Sequence, residues 1–197
     1  GIELDHYKPE AKSAHFRNEF DISADTKLVG SIGRMVWQKG FEFLIRAIPE
    51  IIDTVPDMKF VFVGEGPLKP ELEGLVKRLG LKDYVVFTGY RKDIKEILST
   101  LDLLVVPSLL EGFPMIILEA MAMAKPIIAT RINGITEQIT DQHDGMLVPM
   151  ENSVELAKAV LHCVNNRSFA NQMGICARET VEKKFSVEKM ASATEKL

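Results

Sequence analysis

Short apolar runs alternate with helical patterns from about Lys27 onward, and this alternation organises most of the chain. The runs are apolar at successive positions, so both faces of each predicted strand should be buried. The predicted strands are Lys27–Gly33, Lys59–Val63, Val85–Thr88, Leu103–Val106, Pro126–Thr130 and a weaker one at Met146–Val148.

The segments between these runs follow the 3.6-residue period of amphipathic helices. The clearest pattern lies between the first two strands and is closed by Pro56; further helices are expected over Leu68–Leu79, over Asp93–Thr100 and from Ser153 onward. Six strand–helix units predict an α/β fold, a Rossmann-like doubly wound parallel sheet of about six strands with helices on both faces. Ligands of such sheets bind at the carboxyl ends of the strands, so the loops that follow the strands should carry the chemistry.

Three segments are expected along the chain. Residues 1–26 carry scattered charges and form a lead-in, residues 27–165 form the sheet domain, and residues 166–197 form C-terminal helices. The sequence begins at Gly1 without an initiator methionine, so we expect it to be a piece of a longer protein.

Composition narrows the class of protein. Hydrophobic residues make up 46% and charged residues 26%, which is the mix of a folded domain and excludes disorder as the main state. The net charge of −4 argues against nucleic acid as the main partner but permits a local basic site. Cys163 and Cys176 are too far apart for a C-x-x-C motif, so a zinc site or redox dithiol is not expected, and a reduced, cytoplasmic setting fits.

The loop after the first strand places two cations near a helix start. Gly33 ends the strand, Arg34 follows it, and Lys39 precedes the next helix. Cations beside a helix N-terminus suit a diphosphate, although both side chains are also compatible with a solvated surface. The loop after the second strand, Gly64-Glu-Gly-Pro67, resembles half of a dinucleotide fingerprint, with Lys69 in place of the third glycine, and a tight turn into a helix beginning at Pro67 explains it equally well.

The loop after the fourth strand is the most informative. Pro114 suits the first position of a helix, which leaves the backbone N–H groups of Gly112 and Phe113 at its positive end, with Glu111 just before them. Glu119 is an acid in an otherwise apolar helix, so it must reach solvent, a cation or the hydroxyl groups of a ligand. The alternatives are a helix-start acid at Glu111 and a buried salt bridge at Glu119.

Two further groups are weaker candidates. Glu137 follows the fifth strand and either contacts a ligand or begins a helix, and His143 reads as a turn residue because no second histidine lies at metal-ligand spacing. The sequence has no G-x-S-x-G elbow, P-loop, H-E-x-x-H motif or D-x-D pair.

These loops, taken together, resemble a known family. Glu111 and Glu119 form an E-x7-E pair within P-S-x-x-E-G-F-P-x-x-x-x-E-A-M-A, and Gly33-Arg34, Gly64-Glu-Gly-Pro67 and Phe87-Thr-Gly-Tyr90 precede it in order. The set is similar to the C-terminal domain of a retaining GT-B glycosyltransferase of the group 1, or family 4, type. Residues 1–9 are similar to the family's inter-domain segment, without its leading asparagine.

The resemblance implies that residues 27–165 bind a nucleoside-diphosphate sugar. It assigns the diphosphate to Arg34 and Lys39, the transferred sugar to Glu111 with the backbone of Gly112 and Phe113, and the ribose to Glu119. It places the loop at Tyr90 and Arg91 beside the nucleobase, and it includes Gly33, Gly64 and Pro114 among the donor-binding residues. Arg34, Lys39 and Glu111 are the implied catalytic residues.

The resemblance also implies a metal-independent reaction without a cofactor, in which the cations stabilise the leaving diphosphate. The family's N-terminal acceptor domain is absent, so the isolated chain is expected to be inactive, and any membrane contact would be made by the missing domain. Nucleobase, sugar and acceptor are left open.

Two other readings remain open from the sequence. One is a non-catalytic nucleotide-sugar-binding module, or a subunit completed by a separate acceptor domain. The other is a different enzyme on the same scaffold, such as a nucleotide-sugar epimerase or a phosphorylase, for which neither an acid–base pair nor a cofactor lysine is evident.

Overall fold

A single parallel sheet organises the structure, a computed structural model that describes residues 1–189. Its strands are β1 Lys27–Ile32, β2 Met58–Val63, β3 Val85–Gly89, β4 Leu103–Val106, β5 Ile127–Thr130 and β6 Met146–Val148. The strand order is β3-β2-β1-β4-β5-β6, and every neighbouring pair is parallel. This order is that of the Rossmann fold, as the alternating pattern predicts.

The helices alternate with the strands as expected, except that α1 precedes β1 and that residues 131–145, between β5 and β6, form turns and no helix. They are α1 Ala14–Glu19, α2 Phe41–Thr54, α3 Lys69–Arg78, α4 Ile94–Thr100, α5 Met115–Ala122, α6 Ser153–Asn165 and α7 Arg167–Lys184, with a 3₁₀ turn at Trp37–Lys39. Part of the predicted C-terminal segment, residues 190–197, lies outside the described residues.

Two apolar cores lie on opposite faces of the sheet because successive strand side chains point to opposite faces. Phe60 and Phe62 enter the core that is covered by α2, α3 and α6. Val61 and Val63 enter the core that is covered by α4, α5 and the C-terminal half of α7. Both faces of the strands are therefore buried, which explains their continuous apolar runs.

The first residues of the chain pack against its C-terminal region. Ile2 pairs with Ser186, and the backbone of Tyr7 accepts a hydrogen bond from Arg178 in α7 at 2.8 Å. These contacts bring the lead-in segment beside α5, since Arg178 also donates to the carbonyl of Ala122. None of the helices within residues 1–189 is both long enough and apolar enough to cross a membrane.

Candidate functional site

The loops that follow β1, β2 and β3 meet at the carboxyl edge of the sheet, where such folds bind their ligands. The N–H of Gly33 donates to the carbonyl of Val63 at 2.9 Å, and the N–H of Gly64 donates to that of Gly89 at 2.9 Å. A side chain at Gly64 would lie 2.0 Å from the carbonyl oxygen of Gly33. The two predicted glycines thus lie side by side because the backbones are in direct contact.

The loops after β1 and β4 are joined in the same way. The N–H of Leu109 donates to the carbonyl of Gln38 at 2.7 Å. Gly40, which precedes α2, has a positive φ of 58°, and its missing side chain would lie 2.1 Å from the carbonyl oxygen of Pro107. These contacts hold the end of the first loop, which carries Lys39, against the loop that carries Glu111.

The central contact of the site is an ion pair between two predicted catalytic residues. Lys39 Nζ lies 2.6 Å from Glu111 Oε1, although the residues are 72 positions apart. The side chain of Glu111 is only 10% exposed, and that of Lys39 is 23% exposed. A partly desolvated pair of this kind is stronger than a surface ion pair and fixes the two side chains relative to each other.

Ser108 is a member of the site that the sequence analysis did not identify. Its hydroxyl donates to Glu111 Oε1 at 2.7 Å, and Ser108 itself is 1% exposed. Its backbone carbonyl accepts a hydrogen bond from the hydroxyl of Thr130 at the end of β5. The signal was present in the P-S-x-x-E pattern, since a serine three positions before an acid in a loop can reach its carboxylate.

Arg34 lies in the loop after β1, five residues before Lys39. It is exposed and, within residues 1–189, forms no ion pair. It lines a cleft of about 620 Å³ together with Gly33, Gly64, Tyr90 and Arg91. This volume lies within the range of small-ligand pockets, so these five predicted residues line a space suited to a ligand. The other predicted residues, from Lys39 and from Glu111 onward, do not line this cleft.

The start of α5 differs slightly from the prediction. Pro114 is the N-cap residue, with φ −68° and ψ 114°, and the helix begins at Met115, because the chain is still extended at the proline. Within the described residues, the N–H groups of Gly112 and Phe113 have no hydrogen-bond partner. They therefore remain available at the positive end of the helix.

The loop after β5 closes against the same turn. Gly134 has a φ of 83°, and a side chain there would lie 2.1 Å from the carbonyl oxygen of Gly112. The ring of Phe113 packs edge-on against Phe185, with centroids 5.8 Å apart. Contacts from two distant parts of the chain therefore fix the turn between Glu111 and α5.

Glu119 lies half-buried in α5 and faces the lead-in segment. Burial raises the pKa of its carboxyl, while a hydrogen bond from Tyr7 and the nearby His6 oppose that rise. Burial and the adjacent carboxylate raise the pKa of Tyr7 to about 12. The acid thus meets a polar partner, as burial requires, but this partner is a tyrosine outside the sheet domain.

The two predicted residues of the loop after β3, Tyr90 and Arg91, have different surroundings. Tyr90 is 72% exposed at the cleft. Arg91 instead directs its guanidinium to Asp93 at 2.7 Å and to Glu19 in α1 at 2.9 Å, and these bonds raise its pKa. The guanidinium therefore ties α1 to the sheet, while its loop lines the cleft.

The remaining candidates lie away from this arrangement. Helix α3 begins at Lys69, two residues after Pro67, and Lys69 pairs with Glu65 at 2.9 Å instead of entering the cleft. Glu137 is exposed, and His143 lies exposed in the turn before β6.

Comparison with known families agrees with this geometry. The profile of the family described as "Glycosyl transferases group 1" matches residues 26–166. The alpha-D-kanosaminyltransferase of Streptomyces kanamyceticus is 33% identical over 180 residues, which cover 90% of this chain and 46% of that protein.

Solved structures share the fold. HepE from Anabaena, crystallised in complex with UDP-glucose, superposes with a TM-score of 0.90 at 26% identity and is matched over 100% of this chain and 56% of its own. The C-terminal domain of a group 1 glycosyl transferase, LpcC from Francisella tularensis, superposes with a TM-score of 0.85 at 26% identity, over 95% of this chain and 100% of that one.

The chain spans about half the length of the curated relatives it matches. Its six parallel strands and two helical layers correspond to one half of the two-domain fold of these enzymes. The family profile covers the whole sheet and every loop that forms the cleft. The chain therefore belongs to the group 1 glycosyltransferase family and resembles the C-terminal domain of its members.

Proposed function

We propose that this chain is the donor-binding domain of a retaining glycosyltransferase that transfers a hexose from a nucleoside-diphosphate sugar. The observation that carries the proposal is the Lys39–Glu111 ion pair just before α5, next to the cleft that the unpaired Arg34 lines; Gly33, which also lines that cleft, lies against the Lys39 side chain. The UDP-glucose complex of the structurally similar HepE supports a nucleotide sugar as the ligand.

The arrangement suits the two ends of such a donor. Arg34 and Lys39 supply positive charge for the diphosphate, and the free N–H groups of Gly112 and Phe113 add donors at a helix N-terminus. Glu111 is held by Ser108 and Lys39 in a position to accept hydrogen bonds from the sugar hydroxyls. Diphosphate binding would draw Lys39 away from Glu111 and free that carboxylate for the sugar.

Glu119 is the proposed ribose acid. It lies in α5, eight positions after Glu111 of the preceding loop, and is half-buried beside Tyr7. A carboxylate with few competing partners is a strong acceptor for vicinal hydroxyls. Tyr90 is exposed at the cleft and presents a ring on which a nucleobase can stack.

Catalysis on this arrangement is electrostatic. Charge develops on the leaving diphosphate as the sugar bond breaks, and fixed cations stabilise that state more than the ground state. We propose that Arg34 and Lys39 do this without a metal ion. The departing diphosphate would then assist the attack of the acceptor on the same face, which retains the anomeric configuration. The acceptor would be bound by a separate domain, so the isolated chain should not transfer sugar.

Calorimetric titration with UDP, GDP and ADP sugars tests this proposal. We expect one nucleotide to bind with a 1:1 stoichiometry, and Arg34→Ala to weaken that binding by about tenfold or more, because a charge-assisted contact to phosphate is lost. Lys77→Ala, which removes an exposed cation from α3, is the matched control and should leave binding unchanged. Addition of EDTA should have no effect.

Two results would contradict the proposal. The first is an absence of nucleotide binding at millimolar concentration in a chain that circular dichroism shows to be folded. The second is nucleotide binding that depends on added divalent metal and is indifferent to Arg34→Ala.

A further inference from the structure

A second cavity, with several charged side chains in its lining, lies at the opposite, amino edge of the sheet, where β1, β4 and β5 begin. It has a volume of about 170 Å³, below the range for pockets that hold a whole nucleotide sugar. Four cations line it, namely Lys12, Lys27, Lys125 and Arg167, against a single acid, Asp102. Because the whole chain carries a net charge of −4, this concentration of positive charge is local.

The one acid is already neutralised by its neighbours. Asp102 Oδ1 lies 2.5 Å from Lys12 Nζ, and Asp102 Oδ2 lies 3.7 Å from the Nη2 of the buried Arg17. The same carboxylate accepts a hydrogen bond from the N–H of Leu28 at 3.0 Å. The thiol of Cys163 adds no negative charge, because burial raises its pKa to about 12. The cavity therefore keeps an excess of positive charge.

Lys125 sits deepest in this group and has capacity for one more partner. Its Nζ donates to the carbonyls of Ser99 at 2.6 Å and Leu101 at 3.0 Å, which uses two of its three N–H donors. Within the described residues it forms no ion pair. Burial, together with the nearby Lys12, lowers its pKa to about 8. A bound anion would oppose that depression, because a nearby negative charge favours the ammonium form.

Favourable interactions with the ends of helices explain only some of the cations that line this cavity. Lys125 caps the carbonyls at the end of α4, as cations often do. Arg167 is different, because it is the first residue of the 18-residue helix α7, where a positive charge opposes the helix dipole. The first turn of α7 contains no acid, and the preceding Asn166 makes no side-chain capping bond. Arg167 and Lys27 also form no ion pair within residues 1–189.

We propose that this amino-edge pocket binds a small phosphate-bearing anion, held by Lys27, Lys125 and Arg167. A phosphate group supplies two negative charges and several acceptor oxygens, which matches three cations with unused donors and the uncapped start of α7. The pocket lies at the opposite edge of the sheet from the proposed donor cleft. Helix α5 connects the two, because its start follows Glu111 and its end precedes Lys125.

The test is a titration of the whole chain with inorganic phosphate at constant ionic strength, read at Lys125 by NMR of labelled lysine side chains. Saturating UDP is added in a parallel sample to occupy the donor cleft. We expect saturable binding in both samples and an upward shift in the pKa of Lys125, since a nearby anion favours the ammonium form. A matched titration with glucose 6-phosphate shows whether the phosphate group alone or a larger sugar phosphate is recognised; both results support the pocket if the Lys125 signal responds.

The double variant Lys27→Ala/Arg167→Ala should weaken phosphate binding by roughly tenfold. Lys77→Ala is the control and should not. Since both replaced side chains lie at the surface of the pocket, we expect the double variant to fold, and Lys27→Gln/Arg167→Gln repeats the measurement with longer side chains.

The proposal is overturned if the Lys125 signal does not respond to phosphate in the wild-type chain. It is overturned equally if the double variant binds phosphate like the wild type, or if Arg34→Ala or UDP abolishes all phosphate binding, which would place the anion in the donor cleft. Because the readout is at Lys125, the response to phosphate alone and the effect of the double variant are independent of whether the cleft binds a nucleotide sugar.

Discussion

The two edges of the sheet are built by different kinds of contact. At the carboxyl edge, glycines allow loops to touch backbone to backbone, as Gly134 does with Gly112, and these contacts bring Lys39 to Glu111. At the amino edge, long side chains converge on a cavity, and one glycine contact lies beside it, since a side chain at Gly174 would lie 2.2 Å from the carbonyl oxygen of Ala124. One methyl group added at a carboxyl-edge glycine should therefore cause a large loss of stability, whereas a change of charge in the amino-edge cavity should have a smaller effect.

The largest effect is expected from a methyl group at the carboxyl edge. Gly134→Ala places a side chain 2.1 Å from the carbonyl oxygen of Gly112, at a φ of 83°. We expect a loss of about 3 kcal/mol or more in the free energy of unfolding, measured with urea, because backbone must move on both sides of the contact. Nucleotide-sugar binding should be lost with it.

Gly80→Ala is the matched control for this prediction. It has a similar φ of 71°, but a side chain there meets nothing within 4 Å. Only backbone strain remains, and about 1 kcal/mol is expected. Equal losses in the two variants would show that the loop contact contributes nothing beyond the strain.

The sequence predicted the sheet well because each strand is buried on both faces and so appears as a continuous apolar run. The six predicted strands match the observed ones to within one residue at each end. The contacts that complete the site were less accessible. The pairing of Lys39 with Glu111 spans 72 positions and depends on where two loops meet, which local periodicity does not encode.

Two further features of the structure were not predicted from the sequence, each for a physical reason. Tyr7 reaches Glu119 only because the lead-in segment pairs with residues after α7. The amino-edge pocket was not predicted because the chemistry of such a sheet is expected in the loops that follow strands, whereas Lys27 begins β1 and Lys125 precedes β5. Whether the predicted site residues bind a donor as proposed stays a prediction.

The second-largest effect concerns the buried ammonium at the amino edge. The pKa of Lys125 is lowered to about 8 in the folded chain, so the unfolded chain binds more protons between about pH 8 and 10.5. Stability should therefore rise with pH across that window. From pH 7.5 to 9.5 we expect a gain of about 2 kcal/mol in the wild-type chain relative to Lys125→Met, measured by urea unfolding.

The pH slope is the diagnostic quantity here, because Lys125→Met also removes two hydrogen bonds and shifts stability at every pH. Lys77→Met, on an exposed part of α3, should keep the wild-type slope. If Lys125→Met retains that slope as well, the side chain is not desolvated, and the contrast between the two edges weakens.

Ser108 tests whether the carboxyl edge also depends on single polar contacts. Ser108→Ala removes the 2.7 Å hydrogen bond to Glu111 Oε1. We expect affinity for the nucleotide sugar to fall by about fivefold to tenfold, because the acid is less firmly held, while affinity for the nucleoside diphosphate changes by less than about twofold. Calorimetry with both ligands makes the comparison.

The chain provides a close control for this substitution. Ser31 is equally buried, at 1% exposed, but its hydroxyl has no hydrogen-bond partner within residues 1–189. Ser31→Ala should leave both affinities unchanged. A parallel loss of sugar and diphosphate binding in Ser108→Ala would show that Ser108 supports the whole loop rather than Glu111 alone.

The smallest effect is expected from Arg91, which lies at the cleft but has its charge engaged elsewhere. Its guanidinium binds Asp93 and Glu19 and lies 5.8 Å from the ring centre of Phe16, so it joins α1 to the loop after β3. Arg91→Ala should change the free energy of unfolding by less than about 1 kcal/mol and speed hydrogen exchange in α1. Nucleotide affinity should change by less than about twofold, against tenfold for Arg34→Ala.

Arg34 and Arg91 both follow strands at the same edge of the sheet. The electrostatic contribution to ligand binding should come from Arg34, because no protein group neutralises its charge. A tenfold loss of affinity in Arg91→Ala, with hydrogen exchange in α1 unchanged, would reverse this assignment.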